Sequence, residues 1–180
     1  MPRLRPHGRQ TELKDRVMVF WFAGLSFAAV LIVFSSPALD YRLVMAGAVL
    51  PTGEGLIGGP WVLHTLLAPV SVLAVVMLLT QNKRLVRRQW LGLPIGLFMH
   101  LVLDGSWSGA ELFWWPFLGT EGVLGGSRVN EFQRSLTVIL GMETVGLIAL
   151  AFLITRLDLA GQGRELFTSK GQILRDRLET

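Results

Sequence analysis

The chain has 180 residues, of which 51% are hydrophobic, and a mean hydropathy of +0.50, which excludes an ordinary soluble domain. Its 17 Lys and Arg residues outnumber 13 Asp and Glu residues, so the formal net charge is +4. It contains no cysteine, which excludes disulfides and thiolate metal ligands.

Residues 1–16 are polar and basic and are predicted to form a cytoplasmic arm. Four apolar runs are predicted to cross the membrane, at about 17–35, 61–80, 89–107 and 135–155. The run from Leu43 to Leu50 is too short to cross about 30 Å of hydrocarbon, so it is predicted to be a half-helix or re-entrant segment. The expected fold class is an all-α integral membrane protein, with its transmembrane domain over 17–156 and a tail over 157–180.

The distribution of basic residues predicts the orientation of these spans. If both termini are cytoplasmic, only Arg42, Arg128 and Arg134 of the 17 Lys and Arg residues lie outside, as the positive-inside rule requires. The long 105–134 loop is then an outer loop. This sidedness predicts a multi-pass plasma-membrane protein with lipids as its partners, and the positive charge requires no nucleic-acid partner.

Three residues suggest a metal site within this bundle. His64 lies near the outer end of the second predicted span, and His100 and Asp104 lie near the outer end of the third. Residues four apart share one helical face, and ionisable groups at membrane depth generally face the bundle interior and serve a function. Imidazole and carboxylate are ligands for zinc or a similar divalent ion. The aspartate instead orients the imidazole if it is not itself a ligand.

Two further carboxylates are predicted on the same side. Glu54 precedes the second span in PTGEG, and Glu143 lies about 13 Å into the fourth span by helical rise. Each is a candidate general base for a water bound at the metal. Glu143 has two alternative roles, as a partner of Arg134 or in a water cavity, and Glu54 has one, as a solvated loop residue.

Three segments resemble a known family: HTLL at 64–67, HLVLD at 100–104 and FWWPF at 113–117. They resemble the membrane-bound metal-dependent hydrolases, also described as LexA-regulated inner-membrane hydrolases. The resemblance covers roughly residues 42–117, with a looser match through Glu143, and implies a location in the bacterial inner membrane. Family members typically carry additional aspartates and a histidine ahead of the first histidine motif. Here Thr52 stands where an aspartate is expected, and only Glu54 could replace it.

The leading functional hypothesis is a metal-dependent hydrolase whose site lies near the outer leaflet. In it, His64, His100 and Asp104 hold the ion, which is expected to be zinc, and an amphiphilic substrate with a lipid-linked phosphoester enters from the bilayer. The alternative is a non-enzymatic membrane scaffold that binds a partner and keeps a degenerate metal site. A small transporter subunit with a proton relay is a third hypothesis, although the chain has no internal repeats.

Overall fold

The computed structural model describes residues 18–56, 61–119 and 135–178, and every regular element within them is a helix. The all-α prediction is therefore confirmed for this part of the chain. Short 3₁₀ helices lie at Val62–His64, Ser106–Ser108 and Arg175–Arg177. The α-helices are α1 (Phe20–Phe34), α2 (Tyr41–Val49), α3 (Thr52–Leu56), α4 (Leu67–Leu79), α5 (Arg84–Trp90), α6 (Gly92–Asp104), α7 (Ala110–Phe113), α8 (Leu136–Arg156) and α9 (Arg164–Lys170).

The helices differ from the predicted spans mainly in length. Among the described residues, only α8 is long and apolar enough to cross a membrane, while α1 and α4 are apolar but shorter. The second predicted span is not one continuous helix, because Thr65 has an extended backbone between the Val62–His64 turn and α4. The predicted half-helix corresponds to α2, which ends just before Leu50 and Pro51.

Helices α2 and α6 run parallel and pack with their backbones in close contact. Gly92 faces the carbonyl of Asp40, and one turn later Gly96 faces the carbonyl of Val44. Small residues let two helices approach this closely, which is a common way of packing helices within membranes. The contact brings the end of α2 beside the last turn of α6.

Helix α1 runs antiparallel to α6. At its start the Phe22 ring lies 4.1 Å, centroid to centroid, from the ring of His100 near the end of α6, and further along α1 Val30 and Val33 line a cavity with Pro94 of early α6. The prediction that α1 and α6 cross the membrane in the same direction is therefore wrong. The predicted direction assumed that α2 does not pass between the two ends of the bundle, whereas α2 runs alongside α6.

The C-terminal tail packs against the connection between α1 and α2. The Tyr41 N–H donates to the Gly171 carbonyl at 2.8 Å, the Gln172 side chain donates to the Ala38 carbonyl at 3.4 Å, and the Arg42 guanidinium donates to the Thr168 carbonyl. Apolar side chains from α1, α2, α8 and the tail form one core at this end of the bundle.

These contacts correct the predicted topology. Arg42 was expected on the outer side and the tail on the cytoplasmic side, yet residues 38–42 touch the tail directly. The start of α1 lies at the opposite end, beside His100. The start of α1 and the tail therefore lie at opposite ends of the bundle, because α2 runs back along α6 and adds one more passage between the two ends.

The close packing of α2 on α6 predicts a strong effect of Gly96→Ala. The added methyl group would overlap the Val44 carbonyl oxygen and the Ala48 nitrogen, and backbone atoms can yield only if the helices move apart. We expect destabilisation at the upper end of the about 1–3 kcal/mol typical of overpacking, measured as a lower thermal unfolding midpoint in detergent. Gly141→Ala is the matched control, because nothing lies within 4 Å of its added methyl group. Equal midpoints for the two variants would contradict the packing.

Candidate metal centre

His64, His100 and Asp104 come together in a buried group. One ligand atom from each residue lies within 4.8 Å of the others, and the three residues are only 1%, 1% and 6% exposed. His64 ends a 3₁₀ turn ahead of α4, while His100 and Asp104 lie on the last turn of α6. The four-residue spacing of His100 and Asp104 therefore places both side chains on the face of α6 that points toward His64.

His64 is held by a carboxylate on α3. Its Nδ1 lies 2.8 Å from Glu54 Oε2, and the same carboxylate accepts the N–H groups of Trp61 at 2.8 Å and Leu63 at 2.9 Å. The two backbone N–H groups fix this carboxylate as a hydrogen-bond acceptor. An ionised carboxylate can only accept. His64 Nδ1 therefore carries a proton, and in the neutral imidazole Nε2 then bears the lone pair that a metal ion needs.

His100 is held in the same way by a backbone carbonyl. Its Nδ1 lies 2.7 Å from the Ala48 oxygen, and a carbonyl oxygen can only accept a hydrogen bond. The Phe22 ring packs against the imidazole at a tilt of 32°. His100 therefore carries its proton on Nδ1 as well, and its Nε2 also bears a lone pair.

The two Nε2 atoms face each other at 3.2 Å. Because His100 Nε2 is an acceptor, this distance suits either a proton on His64 Nε2 or a cation that lies beside both rings. A tetrahedral zinc ion with Zn–N distances of about 2.0–2.1 Å separates two ligand nitrogens by roughly 3.3 Å. The imidazole spacing and the two protonated Nδ1 atoms therefore fit a divalent ion, whose histidine ligands typically donate their other N–H to a carboxylate or carbonyl.

Asp104 supplies negative charge beside this pair. It is the last residue of α6, and Gly105 follows it in the left-handed conformation with φ 80°, a backbone geometry that glycine adopts without strain. The Ser106 hydroxyl donates to Asp104 Oδ2 at 3.0 Å. This hydrogen bond holds one carboxylate oxygen in a defined position next to the histidines.

The two predicted general bases occupy different positions. Glu54 does adjoin the three-residue group, but its hydrogen bonds make it the orienting partner of His64. Glu143 accepts the N–H groups of Phe20 at 3.1 Å and Trp21 at 3.2 Å, so it caps the first turn of α1. That helix has no capping side chain of its own, and Glu143 is not in the group that could hold an ion.

Three contributors could not be assigned from the sequence alone. The Ala48 carbonyl is a main-chain group without a residue signature, and Phe22 lies on a helix whose direction was predicted wrongly. Ser106 follows Asp104 closely enough for a local hydrogen bond, and this short spacing is the one signal that was available.

No family model, curated protein or solved structure matches this chain.

Proposed function

We propose that this chain is a membrane-embedded, metal-dependent hydrolase that acts on an amphiphilic substrate with a lipid-linked phosphoester. The observation that carries the proposal is the pair of Nε2 atoms at 3.2 Å, each on an imidazole whose Nδ1 is held by an acceptor. The likeness of HTLL and HLVLD to membrane-bound hydrolase motifs supports the reaction class.

The residues divide into ligands and positioning groups. His64, His100 and Asp104 would hold the ion, which we propose to be zinc, while Glu54 and the Ala48 carbonyl orient the two imidazoles. A divalent ion bound there would lower the pKa of a bound water and polarise the bond to be hydrolysed. Because the site is buried, these dipoles and charges act with little screening by water.

The depth of the site supports a substrate that enters from the membrane. Gly146, halfway along α8, packs against the start of α1 at Phe20, and Phe22 contacts His100. Since α8 begins ten residues before Gly146, the site lies about 15 Å below the start of α8 by helical rise. A substrate that reaches this depth needs an apolar part.

An apolar cavity beside the site suits that part of the substrate. A cavity of about 460 Å³ lies between α1, α4 and α6 and is lined by Leu66 and Met99, close in sequence to the two histidines. It continues along α4 to Leu73 and along α1 to Val33. We propose that this cavity holds a hydrocarbon chain while the phosphoester lies at the metal centre.

The membrane location rests on the apolar helices and the charge distribution. Every Lys and Arg among the described residues lies at the end of the bundle that carries the tail. We propose that this end is cytoplasmic, as the positive-inside rule indicates. The metal centre then lies toward the outer leaflet, with α1, α2, α4, α6 and α8 as the segments that connect the two ends.

Asp104→Asn tests the proposal directly. The wild-type protein, purified in detergent from zinc-supplemented cells, is expected to contain about one ion per chain and to release phosphate from a phosphatidic-acid probe. Loss of a residue that only orients a metal ligand weakens metal binding about 10–100-fold. We expect Asp104→Asn to weaken metal binding by more than this and to abolish hydrolysis. Metal content is measured by mass spectrometry.

Glu111→Gln is the control, because Glu111 is an exposed carboxylate at the same end of the bundle. It should leave metal content and hydrolysis unchanged. Equal metal affinity in wild type and Asp104→Asn would remove Asp104 from the ligand set. A wild-type protein that binds metal but does not hydrolyse the probe would contradict this substrate and favour a metal-binding scaffold.

A further inference from the structure

A second apolar cavity lies at the tail end of the bundle, away from the histidines. It has a volume of about 390 Å³ and lies between α4 and the junction of α5 with α6. Val75, Leu79 and Leu93 contribute apolar walls, and Trp90 lies at its edge. The hydroxyl of Thr80, another lining residue, donates to the Val76 carbonyl at 2.5 Å, so it presents little unsatisfied polarity to the cavity.

Basic residues precede Trp90, which lines the cavity, along the same helix. Arg87 precedes Trp90 by three residues, so the two share a helical face. Lys83 lies one turn before Arg87, whose N–H donates to the Lys83 carbonyl at 2.9 Å. Trp90 is 46% exposed, as expected for an indole at a membrane interface. The helical face that brings Trp90 to the cavity therefore also carries Lys83 and Arg87.

In the part of the chain that the structure describes, no acidic side chain neutralises the positive charge of this helical face. Within the described residues, Lys83, Arg84, Arg87 and Arg88 form no ion pair, whereas Arg42 is paired with Asp40 and Arg177 with Asp158. Unpaired cations that adjoin a hydrocarbon-lined groove match a ligand with an anionic head and an apolar chain. Basic pockets between helices on the cytoplasmic side bind anionic headgroups in this way.

We infer that the groove between α4 and the α5–α6 junction binds an anionic phospholipid of the cytoplasmic leaflet. One acyl chain lies along Val75, Leu79 and Leu93, and the headgroup phosphate lies between Lys83 and Arg87. The site depends on the membrane location proposed above and not on the metal centre, since it shares no residue with the histidine group.

Native mass spectrometry in detergent tests this site with phosphatidylglycerol and phosphatidylcholine as probes. The wild type is expected to retain one phosphatidylglycerol in preference to phosphatidylcholine. The double variant Lys83→Gln/Arg87→Gln should weaken this retention by about fivefold for each charge removed. The double variant Arg84→Gln/Arg88→Gln is the control, because it removes the same charge from the same helix away from the Trp90 face.

A groove substitution separates the acyl-chain contact from the headgroup contact. Ser71→Trp should fill part of the cavity, since Ser71 lines it, and should reduce phosphatidylglycerol retention without any change in charge. Ile148→Trp, at an exposed position of α8, should leave retention unchanged. Equal retention of the two lipids by the wild type, or equal losses in the two double variants, would overturn the site. Metal content is measured on the same samples, so failure here is distinguishable from failure of the metal centre.

Discussion

Replacing His100 with alanine is expected to abolish stoichiometric binding of a divalent ion and the stability that the ion confers. A ligand that binds only the folded state stabilises it by mass action, by about 2.7 kcal/mol at a free concentration one hundred times its Kd. The ion would join α6 to His64, which lies just ahead of α4. Removal of the ion should therefore loosen the contact between α4 and α6. Wild type should therefore melt at a lower temperature in a chelator, while His100→Ala should melt at the same temperature with and without it.

The chelator response separates metal loss from ordinary packing loss. His100 also packs against Phe22 and bonds to the Ala48 carbonyl, so alanine destabilises the protein even without a metal. Leu101→Ala is the matched control, because Leu101 is adjacent and only 1% exposed. Its truncation should cost about 2–5 kcal/mol and leave the chelator response intact. An identical chelator shift in wild type and His100→Ala would show that His100 binds no ion.

The sequence contained much of the information for the candidate metal centre. The four-residue spacing of His100 and Asp104 placed both on one helical face, and the position of His64 placed it at the same end of the bundle. Those inferences use local periodicity and the cost of polar groups in hydrocarbon, and neither depends on the path of α1. The three side chains consequently meet even though the predicted topology was wrong.

The roles of the two glutamates were harder to predict because they depend on hydrogen-bond partners from distant segments. Glu143 caps backbone groups of α1, more than one hundred residues earlier in the chain. Glu54 binds His64 because the turn through Val62–His64 folds back toward α3. A sequence shows that a carboxylate is present, but it does not show which donors will occupy its oxygens.

The predicted path of the chain was wrong because α2 is too short to be recognised as a spanning segment. Nine residues of α2 rise only about 14 Å, so a rule that requires roughly twenty apolar residues rejects it as a spanning segment. Yet α2 follows α6 from Gly92 to His100, a helix of only 13 residues. Short helices can traverse this bundle together, and hydropathy windows do not detect that.

Cysteine labelling in intact cells is expected to place Ser36 on the same side as Ser169 and opposite Ser108. The chain has no cysteine, so Ser36→Cys, Ser108→Cys and Ser169→Cys each give one reactive site in an otherwise native background. With the tail end cytoplasmic, an impermeant thiol reagent should label only Ser108→Cys in intact cells. The other two should label after permeabilisation, and mass spectrometry of the purified variants measures each yield.

Ser36 is the informative position because the two topologies disagree about it. The positive-inside reading of the whole sequence puts it outside with Ser108, whereas hydrogen bonds join the neighbouring residues Ala38 and Tyr41 to Gln172 and Gly171 of the tail. Labelling of Ser36→Cys together with Ser108→Cys in intact cells would refute the antiparallel arrangement of α1 and α6. Labelling of Ser36→Cys and Ser169→Cys without Ser108→Cys would instead preserve the helix arrangement and reverse its sidedness. The candidate metal centre would then face the cytoplasmic leaflet, and the basic residues of α5 would lie outside, against the charge distribution of the described residues.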